Sequence, residues 1–164
     1  MEASLDLLLI DVPERIHTER LILRCQQPGD GAALNAAVSE TLDQLAPWMP
    51  WAQALPSERE SEAICRRMNA RFRLRQDLTL FIFERRGDDA EGDFIGEAVR
   101  ALTAMAFDTL AARRVDIRMD AANAASRRVA ERCGFALEGV LKREALTPQG
   151  EPRDTCVYAR VPEA

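Results

Sequence analysis

The sequence predicts an α/β fold with a mixed, mostly antiparallel sheet, because segments with the two-residue period of strands alternate along the chain with segments of helical period. The clearest strand covers residues 114–120, where apolar and charged residues alternate strictly. The clearest helix begins at about Glu97, because apolar residues then recur every three or four positions. With 164 residues, 47% of them hydrophobic and 30% charged, the chain suits a single domain over residues 1–164.

Local signals place the remaining elements. Apolar runs predict further strands over residues 20–24, 78–83, 94–95, 135–143 and 155–161, and the run 78–83 is apolar on both faces, as in a central strand. Hairpin turns are expected at 86–89 and 147–150. Further helices are expected from about residue 31 to 38, after the capping box of Ser57 and Glu60, and from Asn123 to Gly134. Residues 47–51 must form a loop, since two prolines interrupt them.

Composition excludes several classes of function. The single histidine rules out a multi-histidine metal site, and the four cysteines, at no zinc or redox spacing, are expected to be buried thiols. A net charge of −5 without a basic stripe argues against a nucleic-acid partner. The apolar run at residues 7–10 is too short to cross a membrane and follows acidic residues, unlike a signal peptide, so a cytoplasmic protein without a membrane partner is expected.

Four segments in order resemble the GNAT superfamily of acetyl-CoA-dependent N-acetyltransferases, in its RimJ/RimL branch. They are TERLILR at 18–24, PWMPW at 47–51, EAVRAL at 97–102 and, most specific, NAASRRVAERCGF at 123–135 continuing into LEG at 137–139. The resemblance extends from residue 18 to residue 160. It implies a three-layer α/β sandwich that transfers an acetyl group from acetyl-CoA, without a metal, to a primary amine on a peptide N-terminus, such as that of a ribosomal protein, or on a small molecule.

The same resemblance assigns roles to individual residues. Asn123, Ser126 and Arg127 correspond to acetyl-CoA contacts, and Ser126 also corresponds to the acid that protonates the departing thiolate. The residues alone allow a simpler interpretation, in which Asn123 is only a helix N-cap and Ser126 only satisfies first-turn backbone groups.

The other candidate residues carry weaker signals. Glu144 lies near the position of an acidic residue in RimL-like proteins, although one place out of register, and is a candidate general base or merely a solvated strand carboxylate. Trp48 and Trp51 either wall the pocket of the amine acceptor or plug the sheet. His17 is expected at the surface and Tyr158 in the core.

One departure from the family pattern bears on activity. Members have a central strand and a pyrophosphate-binding loop before the helix that begins at Glu97, whereas here Gly96 joins Glu97 directly, a difference on the order of 20–35 residues. Three explanations are open. We favour the first, that the printed sequence lacks a segment of the complete chain. Otherwise the deletion is genuine, or a neighbouring chain supplies the strand. A genuine deletion leaves unpaired strand edges, which the formation of a homodimer would cover. The alternative function is then a catalytically inactive protein-interaction module.

Overall fold

The computed structural model describes residues 7–85 and 93–162. Within these ranges the chain forms six strands and four α-helices: β1 Arg15–His17, β2 Leu21–Arg24, α1 Gly31–Leu45, α2 Glu58–Arg73, β3 Phe81–Glu84, α3 Phe94–Asp108, β4 Val115–Asp120, α4 Ala124–Arg132, β5 Ala136–Leu146 and β6 Pro152–Arg160. The α/β class is therefore confirmed. The described strands form two separate three-stranded sheets, in the orders β1-β2-β3 and β4-β6-β5, and every pairing is antiparallel, rather than one mixed sheet.

By its contacts the chain divides into two compact units. The first comprises Met1–Glu40 and Leu55–Glu91, and the second comprises Thr41–Ala54 and Gly92–Ala164. The second unit contains every candidate site residue named from the sequence. In the described residues no helix is long and apolar enough to cross a membrane.

In the first unit, helix α2 begins at the capping box predicted from the sequence. The Ser57 hydroxyl accepts the Glu60 amide at 3.3 Å, and the Glu60 carboxylate accepts the Ser57 amide at 2.8 Å. The next turn of α2 carries Glu62, whose carboxylate accepts the backbone amides of Gly29 and Gly31 at the start of α1. These contacts stabilise both helix N-termini with negative charge.

Three expectations for this unit need correction. The strand expected at 78–83 is shorter, Phe81–Glu84, and it lies at the edge of the described three-stranded sheet, where it pairs with β2, rather than in the centre. Helix α1 continues past residue 38 to Leu45, and His17 lies within an additional strand, β1, where it is exposed as expected. The hairpin turn expected at 86–89 lies outside the described residues.

The second unit contains a buried cluster between β6 and the helix α4. Cys156 and Tyr158 of β6 pack with Ala130, Cys133 and Phe135, and the alternating apolar residues of β4 pack against the same cluster. The opposite face of the sheet therefore carries the charged residues of β4, as the alternation predicted. All four cysteines of the chain are free and buried, as expected.

Residues 94–95 do not form the expected strand, because helix α3 already begins at Phe94. The Asp93 side chain caps this helix by accepting the Gly96 amide at 3.0 Å, so Gly96 lies inside the first turn. The Asp93 cap favours a helical backbone at Phe94 and Ile95, whereas these two residue types alone favour an extended backbone.

Strand β5 pairs with β6 through two irregularities. The register shifts between Leu137 and Gly139 and again between Leu141 and Ala145, where β5 carries two more residues than β6. At the second irregularity Arg143 adopts a left-handed φ of 52°, and its amide donates to the Asp154 carboxylate at 2.9 Å. This bulge changes the direction of the side chains that follow Leu141.

Gln26 provides a test of the first unit's core. Its side chain is fully buried, and neither its amide nitrogen nor its amide oxygen has a partner among the described residues. Since an unsatisfied buried polar group costs roughly 1–3 kcal/mol, Gln26→Met should raise the free energy of unfolding by about 1 kcal/mol in urea denaturation. Asn69→Leu is the control and should lower the free energy of unfolding, because the Asn69 side chain donates to the main-chain carbonyl oxygen of Gln26. A less stable Gln26→Met protein would show that the amide has a partner.

Candidate active site

The N-terminus of α4 holds the three residues of the specific motif together. It follows β4 after a short turn, in which Asp120 accepts the Ala122 amide at 2.7 Å through its carboxylate and the Asn123 amide at 3.0 Å through its carbonyl. The Asn123 side chain then accepts the Ser126 amide at 3.0 Å, which makes Asn123 the N-cap. The predicted cap is confirmed, and the end of β4 fixes where the helix begins.

The Ser126 side chain is half-buried in the first turn of α4. Its amide is used by the cap, but its hydroxyl makes no hydrogen bond within the part of the chain that the structure describes. A hydroxyl with unused donor and acceptor capacity is available to a ligand. The simpler interpretation, in which the side chain itself satisfies first-turn backbone groups, finds no such contact in the described residues.

Arg127 is directed into the unit. Its Nε donates to the Tyr158 hydroxyl at 3.2 Å, and its Nη1 lies 3.5 Å from the carbonyl oxygen of Ala121. Tyr158 is almost fully buried, as expected, and its hydroxyl donates to Glu131 at 2.7 Å. The contact with Tyr158 raises the pKa of Arg127. Arg127 thus has a structural contact in addition to the acetyl-CoA role predicted for it.

Glu144 lies at the end of the bulge in β5, in contact with two other strands. Its carboxylate accepts Nη2 of Arg118 from β4 at 2.7 Å and the hydroxyl of Thr155 from β6 at 2.8 Å. Thr155 is buried and Glu144 is exposed, so the Glu144 carboxylate is bound to a buried hydroxyl and also contacts solvent. The structure therefore places Glu144 in a hydrogen-bonded network on the charged face of the sheet.

The bulge itself is fixed by Asp154. Its carboxylate accepts the Arg143 amide at 2.9 Å and Nζ of Lys142 at 2.8 Å. The Lys142 ammonium, and after it the Arg143 amide, lowers the pKa of Asp154. Because Asp154 remains ionised above its lowered pKa, it holds the two residues before Glu144 in place at neutral pH.

Trp48 and Trp51 lie in the loop between α1 and α2, as predicted. Trp48 is half-buried, whereas Trp51 is 58% exposed, a large aromatic surface for a loop. The carbonyl oxygen of Trp48 lies 3.5 Å from Nη1 of Arg153, and the same Nη1 lies 3.5 Å from the carboxylate of Asp120. Arg153 therefore links the tryptophan loop to the end of β4, directly before α4.

The N-terminus of α3 is occupied by a side chain. The Asp93 carboxylate caps the helix and pairs with Arg132 at 3.0 Å and with Arg100 at 3.7 Å. The Arg132 guanidinium, followed by the Gly96 amide, lowers the pKa of Asp93. A helix N-terminus normally attracts anions, but here an ionised carboxylate already fills that position.

Sequence reasoning missed the residues that hold the candidates in place. Arg118, Asp120, Arg153, Asp154 and Thr155 each contact a predicted site residue or its immediate neighbour. The charged alternation of β4 signalled that two of them share a face, but no local pattern signalled the contacts of the others. Among the described residues, no group of three or more histidine, cysteine or acidic residues could hold a metal ion.

Residues 88–136 match the sequence family described as an acetyltransferase (GNAT) domain, and no curated protein sequence matches the chain significantly. Among solved structures, the chain is similar to the microcin C7 self-immunity acetyltransferase MccE in complex with acetyl-CoA and AMP, at 18% identity, with 94% of this chain and 99% of that chain covered and a TM-score of 0.76.

Two further structures concern ribosomal-protein acetyltransferases. RimL, the ribosomal L7/L12 alpha-N-protein acetyltransferase in complex with coenzyme A, is 21% identical, with 90% and 98% of the two chains covered and a TM-score of 0.72. The ribosomal-protein-S5-alanine acetyltransferase from Vibrio fischeri is 15% identical, with 92% and 97% covered and a TM-score of 0.69. The chain has the fold of the GNAT acetyltransferases, and the resemblance to that superfamily is confirmed.

Proposed function

We propose that this chain is a cytoplasmic, acetyl-CoA-dependent N-acetyltransferase of the RimJ/RimL-like branch, built as one domain, and that it acts on a primary amine. The acceptor is a peptide N-terminus, such as that of a ribosomal protein, or a small amine. The observation that carries the proposal is the Ser126 hydroxyl, which makes no hydrogen bond to the described residues and lies in the first turn of α4, capped by Asn123. RimL and the S5-alanine enzyme support the choice of branch and acceptor class.

The reaction requires three tasks around one thioester. A neutral amine attacks the thioester carbonyl, a C–N bond forms, and the C–S bond then breaks to release coenzyme A as a thiolate. Ser126 hydrogen-bonds the departing thiolate and relays a proton to it, recovering its own proton from solvent, since its hydroxyl has no competing acceptor in the described residues. Asn123 contacts the pantetheine arm through the amide nitrogen of its side chain, whose oxygen is already engaged by the cap.

Glu144 supplies the base, directly or through a water molecule. Its carboxylate retains acceptor capacity beyond the contacts with Arg118 and Thr155, because two carboxylate oxygens offer about four acceptor sites. A general base has to be oriented as well as basic, and two contacts from neighbouring strands provide that orientation. Trp48 and Trp51 form the wall of the acceptor pocket, where Arg153 steadies the loop.

The two ends of acetyl-CoA fit the described residues unequally. Near the thioester, Asn123 and Ser126 offer polar groups to the pantetheine arm. At the pyrophosphate end, Asp93 occupies the N-terminus of α3, so a phosphate would have to displace this carboxylate from the helix and from its arginines. Arg127, the third predicted acetyl-CoA contact, would have to share its guanidinium with Tyr158.

The poor fit of the pyrophosphate end of acetyl-CoA favours a second function, that of a catalytically inactive protein-interaction module. In residues 7–85 and 93–162 no strand joins β3 to β4, and each of these strands is paired on one side only. The family's central strand carries the oxyanion amide, so a chain without it needs another donor for turnover. Binding of acetyl-CoA distinguishes the two functions.

Acetyl-CoA should stabilise the protein in a thermal-shift titration. A ligand at about 100 times its dissociation constant stabilises a folded state by about 2.7 kcal/mol. The matched variant Asn123→Ser keeps a good N-cap but loses the side-chain amide, so its shift at equal ligand concentration should be smaller. Absence of any shift for the unmodified protein at millimolar acetyl-CoA would exclude the transferase and leave the interaction module.

Ser126→Ala should lower kcat by about 10²- to 10⁴-fold, the usual contribution of a general acid, while the acetyl-CoA thermal shift persists. The expected loss is confined to turnover because the Ser126 amide, which the cap uses, is unchanged. Ser39→Ala, at an exposed position of α1, is the matched control and should behave as the unmodified protein. Equal turnover of the Ser126→Ala protein would refute its role as the acid.

Glu144→Gln should lower kcat by about 10²-fold or more without weakening acetyl-CoA binding, because it removes the proton acceptor and keeps the side-chain shape. Thr155→Val should also lower kcat, and Thr155→Ser should restore it, since only the hydroxyl reaches the carboxylate. The control is Glu151→Gln in the exposed turn before β6. A fully active Glu144→Gln protein would assign Glu144 to the solvated surface.

A further inference from the structure

Strand β4 has one hydrogen-bonded edge and one edge without a partner among the described residues. It pairs with β6 over its whole length, in a register that continues to Ala121, whose amide donates to the Asp154 carbonyl at 3.0 Å. In an antiparallel pair such residues alternate, so odd-numbered residues of β4 direct their backbone groups to β6. The backbone groups of Asp116 and Arg118, and the amide of Asp120, therefore point to the other edge.

This edge carries charged side chains, but it lacks the bulges and prolines that also block strand addition. Strand β5, at the far side of the same sheet, is interrupted by two register shifts, and bulges discourage pairing with another chain. The β4–β6 register has no shift. The apolar residues of β4 are only half-buried although they border the core cluster, so an added strand would cover them further.

The side chains of β4 are complementary to a second copy of themselves in one antiparallel register. With Ile117 opposite Ile117 of the second copy, Asp116 lies opposite Arg118 and Arg114 lies opposite Asp120, and two-fold symmetry repeats both pairs. The other face then brings Val115 opposite Met119. Opposite charges and apolar residues in facing positions stabilise neighbouring strands.

The neighbouring registers are worse. With Arg118 opposite its own copy, Asp116 faces Asp120, so the charged residues of β4 meet like charges. With Met119 opposite its own copy, only Arg118 and Asp120 are complementary and Asp116 faces an alanine, Ala122. A specified register is what distinguishes an interface from an unprotected edge.

We propose that the chain forms a two-fold symmetric homodimer through the free edge of β4, centred on Ile117. The sheets β4-β6-β5 of two copies then join into one six-stranded antiparallel sheet, and each β4 gains a partner strand on its unpaired side. The closed interface is isologous, so it stops at two copies. It rests on the backbone and charges of β4 in the chain as the sequence gives it, without an additional strand beside β4, and not on the proposed function.

Charge reversals test this interface by analytical ultracentrifugation of the full chain. The unmodified protein should be a dimer at micromolar concentration. Asp116→Arg alone and Arg118→Asp alone should each weaken the dimer by at least 10-fold in dissociation constant, because each places like charges in facing positions twice. The double variant should restore dimerisation, since its facing pairs are again complementary.

The double variant separates the interface from intrachain effects. It loses the contact between Arg114 and Asp116 and the contact between Arg118 and Glu144, so its recovery could come only from the second copy. Circular dichroism confirms that each variant is folded, and the reversal Glu151→Arg, away from β4, should leave the dimer intact. A monomeric unmodified protein, a dimer unaffected by single reversals, or a double variant that stays monomeric would each overturn the proposal.

Discussion

The position of α4 depends on the hydroxyl group of Tyr158. Helix α4 has nine residues, too few to be stable alone in water, so its orientation has to come from packing. Arg127 and Glu131, one helical turn apart, both bind the buried Tyr158 hydroxyl, and Ala130 packs in the same cluster. These contacts fix the rotation of the helix against β6. The first turn, with Ser126, is thereby held at the end of β4.

A second constraint comes from the edges of the two sheets. Among the described residues β3 and β4 are each paired on one side, which leaves polar backbone groups without strand partners. The candidate site at the N-terminus of α4 consists of side-chain atoms, whereas the edge of β4 consists of backbone amide and carbonyl groups. A second copy on β4 would therefore satisfy the backbone without occupying the Ser126 hydroxyl. The missing strand beside β4 weakens the catalytic interpretation, and it also leaves the edge of β4 to which a second copy of the chain can pair.

The sequence predicted most of the elements because their signals are local. The alternation of β4, the capping box at Ser57 and the Asn123 cap depend on residues within one turn or one strand, and all three are confirmed. The bulge before Glu144 could not be predicted, because it depends on Asp154, eleven residues away from Arg143 and on another strand. The helix start at Phe94 was not predicted, because the pair Phe94-Ile95 is typical of a short strand and the cap comes from Asp93, outside that pair.

Asp93 also determines which part of acetyl-CoA can be bound under the proposed function. Its pKa is lowered by Arg132, so the carboxylate is ionised at neutral pH and remains at the N-terminus of α3. A phosphate would have to displace it and take over both arginines, Arg100 and Arg132. Affinity for the thioester therefore has to come chiefly from the pantetheine end, at Asn123 and Ser126, where polar groups are free to bind. The two helix N-termini thus differ in charge, because an ionised aspartate caps α3 whereas a neutral asparagine caps α4.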